Sequence, residues 1–319
     1  MASLSHDSRL AVEQSAAETT FRKILVPLDG TALAEQALLP AFQLARRFGG
    51  DVGLLCVEPY LHLLPLVRPA DALDPRGVNV RKSPSELAQR YLDALRADLG
   101  ERGVPVWDRA VIDDPASAIL DCIEKESIGL VVMTSHNRSG LSRWWMGSVA
   151  DQLLTRTDCP VLILPEGAVS NYRKLLVPLD GSEVAESALP VAETLAGSEG
   201  QLLLLRAPSI GEPARVSLSF LNEAYREQYR RGEKARSEAY LDERKRRIEA
   251  RGYRVATRHC PGRAAEAILR TAADEKVDAI VMTTHGRGGW DRLAHGSVAY
   301  KVRVTLGWTP LLLVPRRGP

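Results

Sequence analysis

Nothing in the sequence marks a membrane or secreted protein. No apolar run approaches the ~18 residues that cross a bilayer, and residues 1–20 hold no continuous apolar segment of the kind a secretory signal requires. The expected compartment is the cytoplasm. Cysteine is scarce: Cys56, Cys122, Cys159 and Cys260 include no C-x-x-C pair and no zinc-type histidine spacing, so they are expected to be reduced and mostly buried as small hydrophobes. Charge of one sign is missing too. The 42 basic and 40 acidic residues leave a net +2, too little for a global field that draws nucleic acid or an anionic membrane. Both common phosphate loops are absent, because G-x-x-x-x-G-K-[ST] occurs nowhere and G-x-G-x-x-G does not follow the first apolar run of either half.

What remains is an ordinary globular composition, 45% hydrophobic and 26% charged, in 319 residues, a length for about two domains. The text of the chain is written twice. "RKILVPLDG" at 22–30 recurs as "RKLLVPLDG" at 173–181, 151 positions later, and "TSHNRSGLSRWWMGS" at 134–148 returns as "TTHGRGGWDRLAHGS" at 283–297, 149 positions later. Two motifs repeated at nearly one spacing across a domain length indicate duplication. The predicted division is a tail at 1–20, one domain at 21–165, a linker at 166–171 and a second domain at 172–315.

Residues 24–28 and 175–179 are continuous apolar runs, as strands covered on both faces of a parallel sheet are. Asp-Gly turns the chain after each, and Thr31 or Ser182 is suited to cap the helix that follows. In the first copy Ala34, Ala37, Leu38, Ala41, Leu44 and Phe48 keep a 3.6-residue period. Pro40 and Pro190 fall inside these helices, which predicts a kink or a boundary there. Apolar runs at 52–57 and 202–205, 104–112 and 253–259, 128–133 and 279–282, and 161–164 and 311–314 predict four further strands per copy, with helical stretches between. This alternation implies right-handed βαβ units, hence two tandem doubly wound α/β domains, each on a five-stranded parallel sheet. The fifth runs, "PVLILP" and "PLLLVP", are too apolar for open edges, which predicts that the two copies pair through them.

Ligands of open parallel sheets bind beyond the carboxyl ends of the strands, where strand order reverses. Both copies of the glycine-bearing segment begin there, after the fourth strand. Gly286, Gly288 and Gly289 let backbone amides approach a ligand with no Cβ between. Gly296 and Ser297 would open the next helix, whose first amides and hydroxyl make a phosphate site. The combination of V-P-L-D-G at the first strand with M-T-[ST]-H, a glycine-bearing turn and G-S-V-A at the fourth, in register twice over 21–315, resembles the universal stress protein family in its tandem form.

That resemblance implies an adenine nucleotide alpha hydrolase-like fold in each copy and ATP binding through G-x2-G-x9-G-[ST]. The later copy aligns Thr283, Gly286, Gly296 and Ser297 with it, followed by Val298; the earlier aligns Thr134, Asn137, Gly147 and Ser148, followed by Val149. Threonine replaces the first glycine in both and asparagine the second in the earlier copy, so the second-domain site is the more complete. The resemblance also implies ribose contacts at Asp29 and Asp180 beside Pro27 and Pro178, and backbone recognition of adenine at Val57 and Ala207. It implies Mg²⁺ held mainly by the phosphates, with no dedicated metal ligands and no catalytic residues.

His136 and His285 have no nucleophile or carboxylate partner in the sequence and read as braces of the loop. Trp144 and Trp145 read as core or subunit contacts rather than base stackers, and the stretch 222–252, where acids intersperse "ERKRR", as a solvated helix rather than a nucleic-acid surface. Whether Arg138 and Arg287 neutralise phosphate stays open. The expected function is a cytoplasmic stress-response protein that binds ATP as a regulatory ligand, with slow hydrolysis at most. It is expected as a homodimer or an internal pseudo-dimer, without a membrane or nucleic-acid partner. The alternative is a nucleotide-free family member acting as a dimerising interaction module. Nucleotidyl transfer or ATP pyrophosphate cleavage would call for S-G-G-x-[DS] or H-x-G-H after the first strand, where the chain has only "DGT" and "DGS".

Overall fold

The computed structural model describes residues 19–58, 84–99, 103–135, 148–168, 171–208, 223–284, 297–305 and 308–315. The described residues up to 167 form one compact unit and those from 168 onward a second. The first unit runs β1 (Lys23–Leu28), α1 (Ala32–Glu35), α2 (Leu38–Phe48), β2 (Asp51–Glu58), α3 (Pro84–Leu99), β3 (Val106–Ile112), α4 (Pro115–Glu126), β4 (Leu130–Thr134), α5 (Ser148–Arg156) and β5 (Val161–Leu164). Its strands lie in the order β3-β2-β1-β4-β5, all parallel.

The second unit runs β6 (Lys174–Pro178), α6 (Glu183–Glu186), α7 (Leu189–Ala196), β7 (Gln201–Arg206), α8 (Glu223–Glu249), β8 (Arg254–His259), α9 (Ala264–Asp274), β9 (Ala279–Thr284), α10 (Ser297–Thr305) and β10 (Leu311–Pro315). It repeats the order as β8-β7-β6-β9-β10, again all parallel. Each unit is therefore a doubly wound five-stranded α/β fold. The chain steps outward from the first strand to the third, then returns past the first to the fourth. The order reverses between β1 and β4, and between β6 and β9.

The central strands follow from their composition. Ile24, Leu25, Val26, Leu175, Leu176 and Val177 have no exposed surface, so both faces of β1 and β6 are covered, as continuous apolar runs require. β5 and β10 are buried along their whole length. The outer strands β3 and β8 carry Asp108, Arg109, Arg254 and Arg258, charges that discourage pairing at an edge. No helix among the described residues is long and apolar enough to cross a membrane.

The structure corrects the reading of the first helix of each copy. A single periodic helix from Ala34 to Phe48 is replaced by α1 and α2, with a turn at Gln36 and Ala37. The break leaves Pro40 in the first turn of α2 and Pro190 in the first turn of α7. A first-turn residue has no intrahelical acceptor for its N–H, so proline loses nothing there. Strand limits also shift by up to two residues. Val104 and Ile128 are buried but precede the ladders of β3 and β4, because burial continues into the turns. β9 runs on through the polar Thr283 and Thr284, which pair with Val314 and Pro315.

The amino ends of the strands are stapled alike in the two units. Lys23 Nζ donates to the Glu126 carbonyl and Lys174 Nζ to the Glu275 carbonyl, each at 2.8 Å, supplying a cation at a helix C-terminus. Arg109 pairs with Glu126 and Arg258 with Glu275. The Lys174 hydrogen bond, its charge and that of Arg258 hold the Glu275 carboxyl below its ordinary value. These groups close the floor of each sheet.

Candidate functional site

At the opposite, carboxyl end the first and fourth strands separate. The β1–β4 ladder consists of Ile24↔Leu130 and Leu25↔Val131, and the β6–β9 ladder of Leu175↔Ala279 and Leu176↔Ile280. Beyond these pairs stand Pro27 and Pro178, both half-buried, which offer no N–H to extend a ladder. A crevice opens at the point where strand order reverses, the position at which such sheets take ligands.

Asp29 and Asp180 stand at its edge, exposed and held in one orientation. Asp29 Oδ1 accepts from the backbone N–H of Thr31 at 3.0 Å and from its hydroxyl at 2.6 Å. Asp180 Oδ1 accepts from the N–H of Ser182 at 2.8 Å and from its hydroxyl at 2.6 Å. The same hydroxyls accept from Ala34 N at 3.2 Å and Ala185 N at 3.1 Å, capping α1 and α6. Positive φ at Gly30 (77°) and Gly181 (91°) makes the turn possible. Each carboxylate thus spends one oxygen on its own turn, and its Oδ2 has no partner among the described residues. A fixed carboxylate with a spare oxygen can accept hydrogen bonds from ligand hydroxyls.

Across the crevice the units differ. Thr134 and Thr283 are both half-buried strand residues, but the residues after them diverge. Ser135 donates its hydroxyl to the Leu164 carbonyl at 3.4 Å. The Thr284 hydroxyl is buried with no partner among the described residues. Thr284 lies four positions past the last β6–β9 pair on its strand, as Asp180 does on the other. A buried hydroxyl without a partner costs about 1–3 kcal/mol, so a polar group that reached Thr284 would be stabilised there.

Ser148 and Ser297 are the first residues of α5 and α10, and Val149 and Val298 behind them are half-buried. Val57 is buried near the end of β2, and Ala207 is half-buried just past β7. Asn137, Gly147, Gly286, Gly288, Gly289 and Gly296 lie outside the described residues, as do His136, His285, Arg138, Arg287, Trp144 and Trp145. Among the described residues no group of three or more His, Cys, Asp or Glu could hold a metal ion. Cys56, Cys122 and Cys159 are buried and Cys260 half-buried. Burial pushes the Cys122 thiol up to about 11. Cys260 has a cationic neighbour that the sequence pattern did not suggest, with Arg270 Nη2 at 2.9 Å from its sulfur.

Sequence reasoning also missed a polar group beside the crevice. Tyr91 of α3 donates to Glu35 of α1 at 2.8 Å, and Tyr240 of α8 to Glu186 of α6 at 2.6 Å. Burial and the acceptor carboxylate push both phenols well above the ordinary tyrosine value. In the second unit Arg244 Nε adds a bond to Glu186 at 2.9 Å. His259, at the end of β8, is held below the usual histidine value by burial. The repeat spacing was the available signal, because Glu35 and Tyr91 recur as Glu186 and Tyr240 at the offsets of the motifs.

The profile of the universal stress protein family matches residues 20–165 and again 171–315. The chain belongs to that family, in a form with two tandem domains. It is 28% identical over 150 residues to universal stress protein MJ0531 of Methanocaldococcus jannaschii, covering 46% of this chain and 84% of that one. It is 36% identical over 144 residues to a universal stress protein of Thermus aquaticus, covering 45% of this chain and 98% of the other. A universal stress protein structure from Archaeoglobus fulgidus shares the fold across 92% of this chain and 98% of its own, with 20% identity and a TM-score of 0.68.

Proposed function

We propose that this chain is a cytoplasmic stress-response protein that binds ATP as a regulatory ligand, with the second unit carrying the more complete site. The observation that carries this reading is that the β6–β9 crevice holds both an oriented Asp180 carboxylate and the buried Thr284 hydroxyl, which has no partner among the described residues. Asp180 would hold the ribose hydroxyls. Thr284 and the amides that open α10 would meet the phosphates, since helix-start N–H groups and hydroxyls suit anions. The backbone at Ala207 would meet adenine. Mg²⁺ would arrive on the phosphates, which need few protein ligands to hold it. The first unit lacks the orphaned hydroxyl, because Ser135 is satisfied internally, and this favours weak or no binding there. In that unit the role left is contact with a partner, a second copy of this chain included.

The bound nucleotide acts by occupancy, with slow hydrolysis at most. Mass spectrometry of ligand released from denatured purified protein, together with an ATP titration, tests the reading. Adenine nucleotide in the released fraction and saturable ATP binding are the expected results. A chain that carries none and takes up none is the nucleotide-free interaction module instead.

A further inference from the structure

Arg206 is the last residue of β7, beside the strand that leads into Asp180. Its guanidinium lies over the Tyr240 ring, 4.7 Å from the centroid, with Arg244 at 5.3 Å from the same ring. It also lies along the Asp180–Ser182 turn, where a Cβ on Gly181 would meet Nη1 at 3.0 Å and Nη2 at 3.3 Å. The nearby carboxylate of Glu186 is already engaged by Tyr240 and Arg244. Among the described residues Arg206 makes no ion pair and donates no side-chain hydrogen bond. The register sets His259 beside it, and His259 Nδ1 is buried without a partner among the described residues.

The first unit has the same scaffold without the cation. Its Glu35–Tyr91 link matches Glu186–Tyr240, but the register positions of Arg206 and His259 are held by Cys56 and Ala110. A half-buried guanidinium whose donors lack acceptors is stabilised by an anion. The place for that anion is the flank of Asp180 on the β7 side of β6, away from β9. An arginine beside the acidic ribose contact is how dinucleotide folds take a phosphorylated ribose, and the guanidinium fork matches a phosphate in bidentate fashion.

We propose that the second unit accepts an adenine nucleotide carrying an additional phosphate on its ribose, with Arg206 as the residue that selects it. The proposal rests on the reading of this crevice as an adenine-nucleotide site. Isothermal titration of the full chain with adenosine 5′-monophosphate, adenosine 2′,5′-bisphosphate and adenosine 3′,5′-bisphosphate tests it, and the two bisphosphates tell the 2′ from the 3′ position. One bisphosphate is expected to bind about ten-fold or more tightly than the monophosphate. Arg206→Gln removes most of that advantage while leaving the monophosphate affinity within about two-fold, and Arg206→Lys, which keeps the charge without the fork, retains part of it. Bisphosphates that bind no better than the monophosphate, or an advantage that survives Arg206→Gln, overturn the proposal and leave the nucleotide reading standing. If neither ATP nor the monophosphate binds, both fall.

Discussion

Single atoms decide the account at the residue scale. Asp29 and Asp180 could be picked out in the sequence because the same V-P-L-D-G occurs twice, yet the sequence did not show that a hydroxyl two residues on fixes each carboxylate and leaves one oxygen spare. Thr284 was legible only as part of a repeated string. Its lack of a partner depends on what other strands place around it, which no local pattern encodes. Arg206 was missed because it breaks the repeat, standing where the first copy has cysteine, and a repeat search rewards agreement. Thr284 supports a prediction with two signs. Thr284→Val removes a buried donor that has no partner among the described residues, so thermal unfolding of the nucleotide-free protein shows a stability gain of about 1 kcal/mol. The same change weakens ATP binding several-fold, measured by titration. A variant that gains stability but binds ATP as before would remove Thr284 from the ligand contacts.

Element type was legible and element limits were not. Continuous apolar runs announced the strands, and the periodicity announced helical residues around Pro40, but periodicity continues across a short turn and so concealed the break between α1 and α2. The prolines were the clue, since each sits where a helix has just begun. The ends of α4 and α9 repeat a left-handed residue, Ser127 at φ 54° and Lys276 at φ 48°, where a side chain is strained and glycine is not. Lys276→Gly relieves that strain against a smaller gain in unfolded-state entropy, so chemical denaturation is expected to show stability raised by about 0.5 kcal/mol. A loss of stability would mean that the Lys276 side chain contributes more than its backbone costs. Helix α8 runs from Glu223 to Glu249. It buries only Ser237, Leu241 and Ile248, as its dense mixed charge foretold, and pairs such as Arg231–Glu227 and Lys245–Glu249 link its turns.

For the whole molecule, duplication explains both the likeness of the units and their divergence. The stapled floor, the capped Asp turn and the Glu–Tyr link are kept in both copies, because each serves the fold of its own unit. Among the described residues, the unpartnered hydroxyl at Thr284 and the guanidinium of Arg206, without an acceptor, have no counterpart at the matching positions of the first unit, and neither is needed to close a sheet. Binding is therefore expected to be unequal, with about one tight nucleotide per chain. The most direct measurement is ATP titration of the full chain carrying Asp29→Asn or Asp180→Asn, each of which keeps the Oδ1 bonds that hold the turn and replaces the spare acceptor oxygen with an uncharged amide NH2. Asp180→Asn is predicted to weaken the tight site by about ten-fold or more, with Asp29→Asn close to the unaltered chain. Tight binding that survives Asp180→Asn would contradict the account.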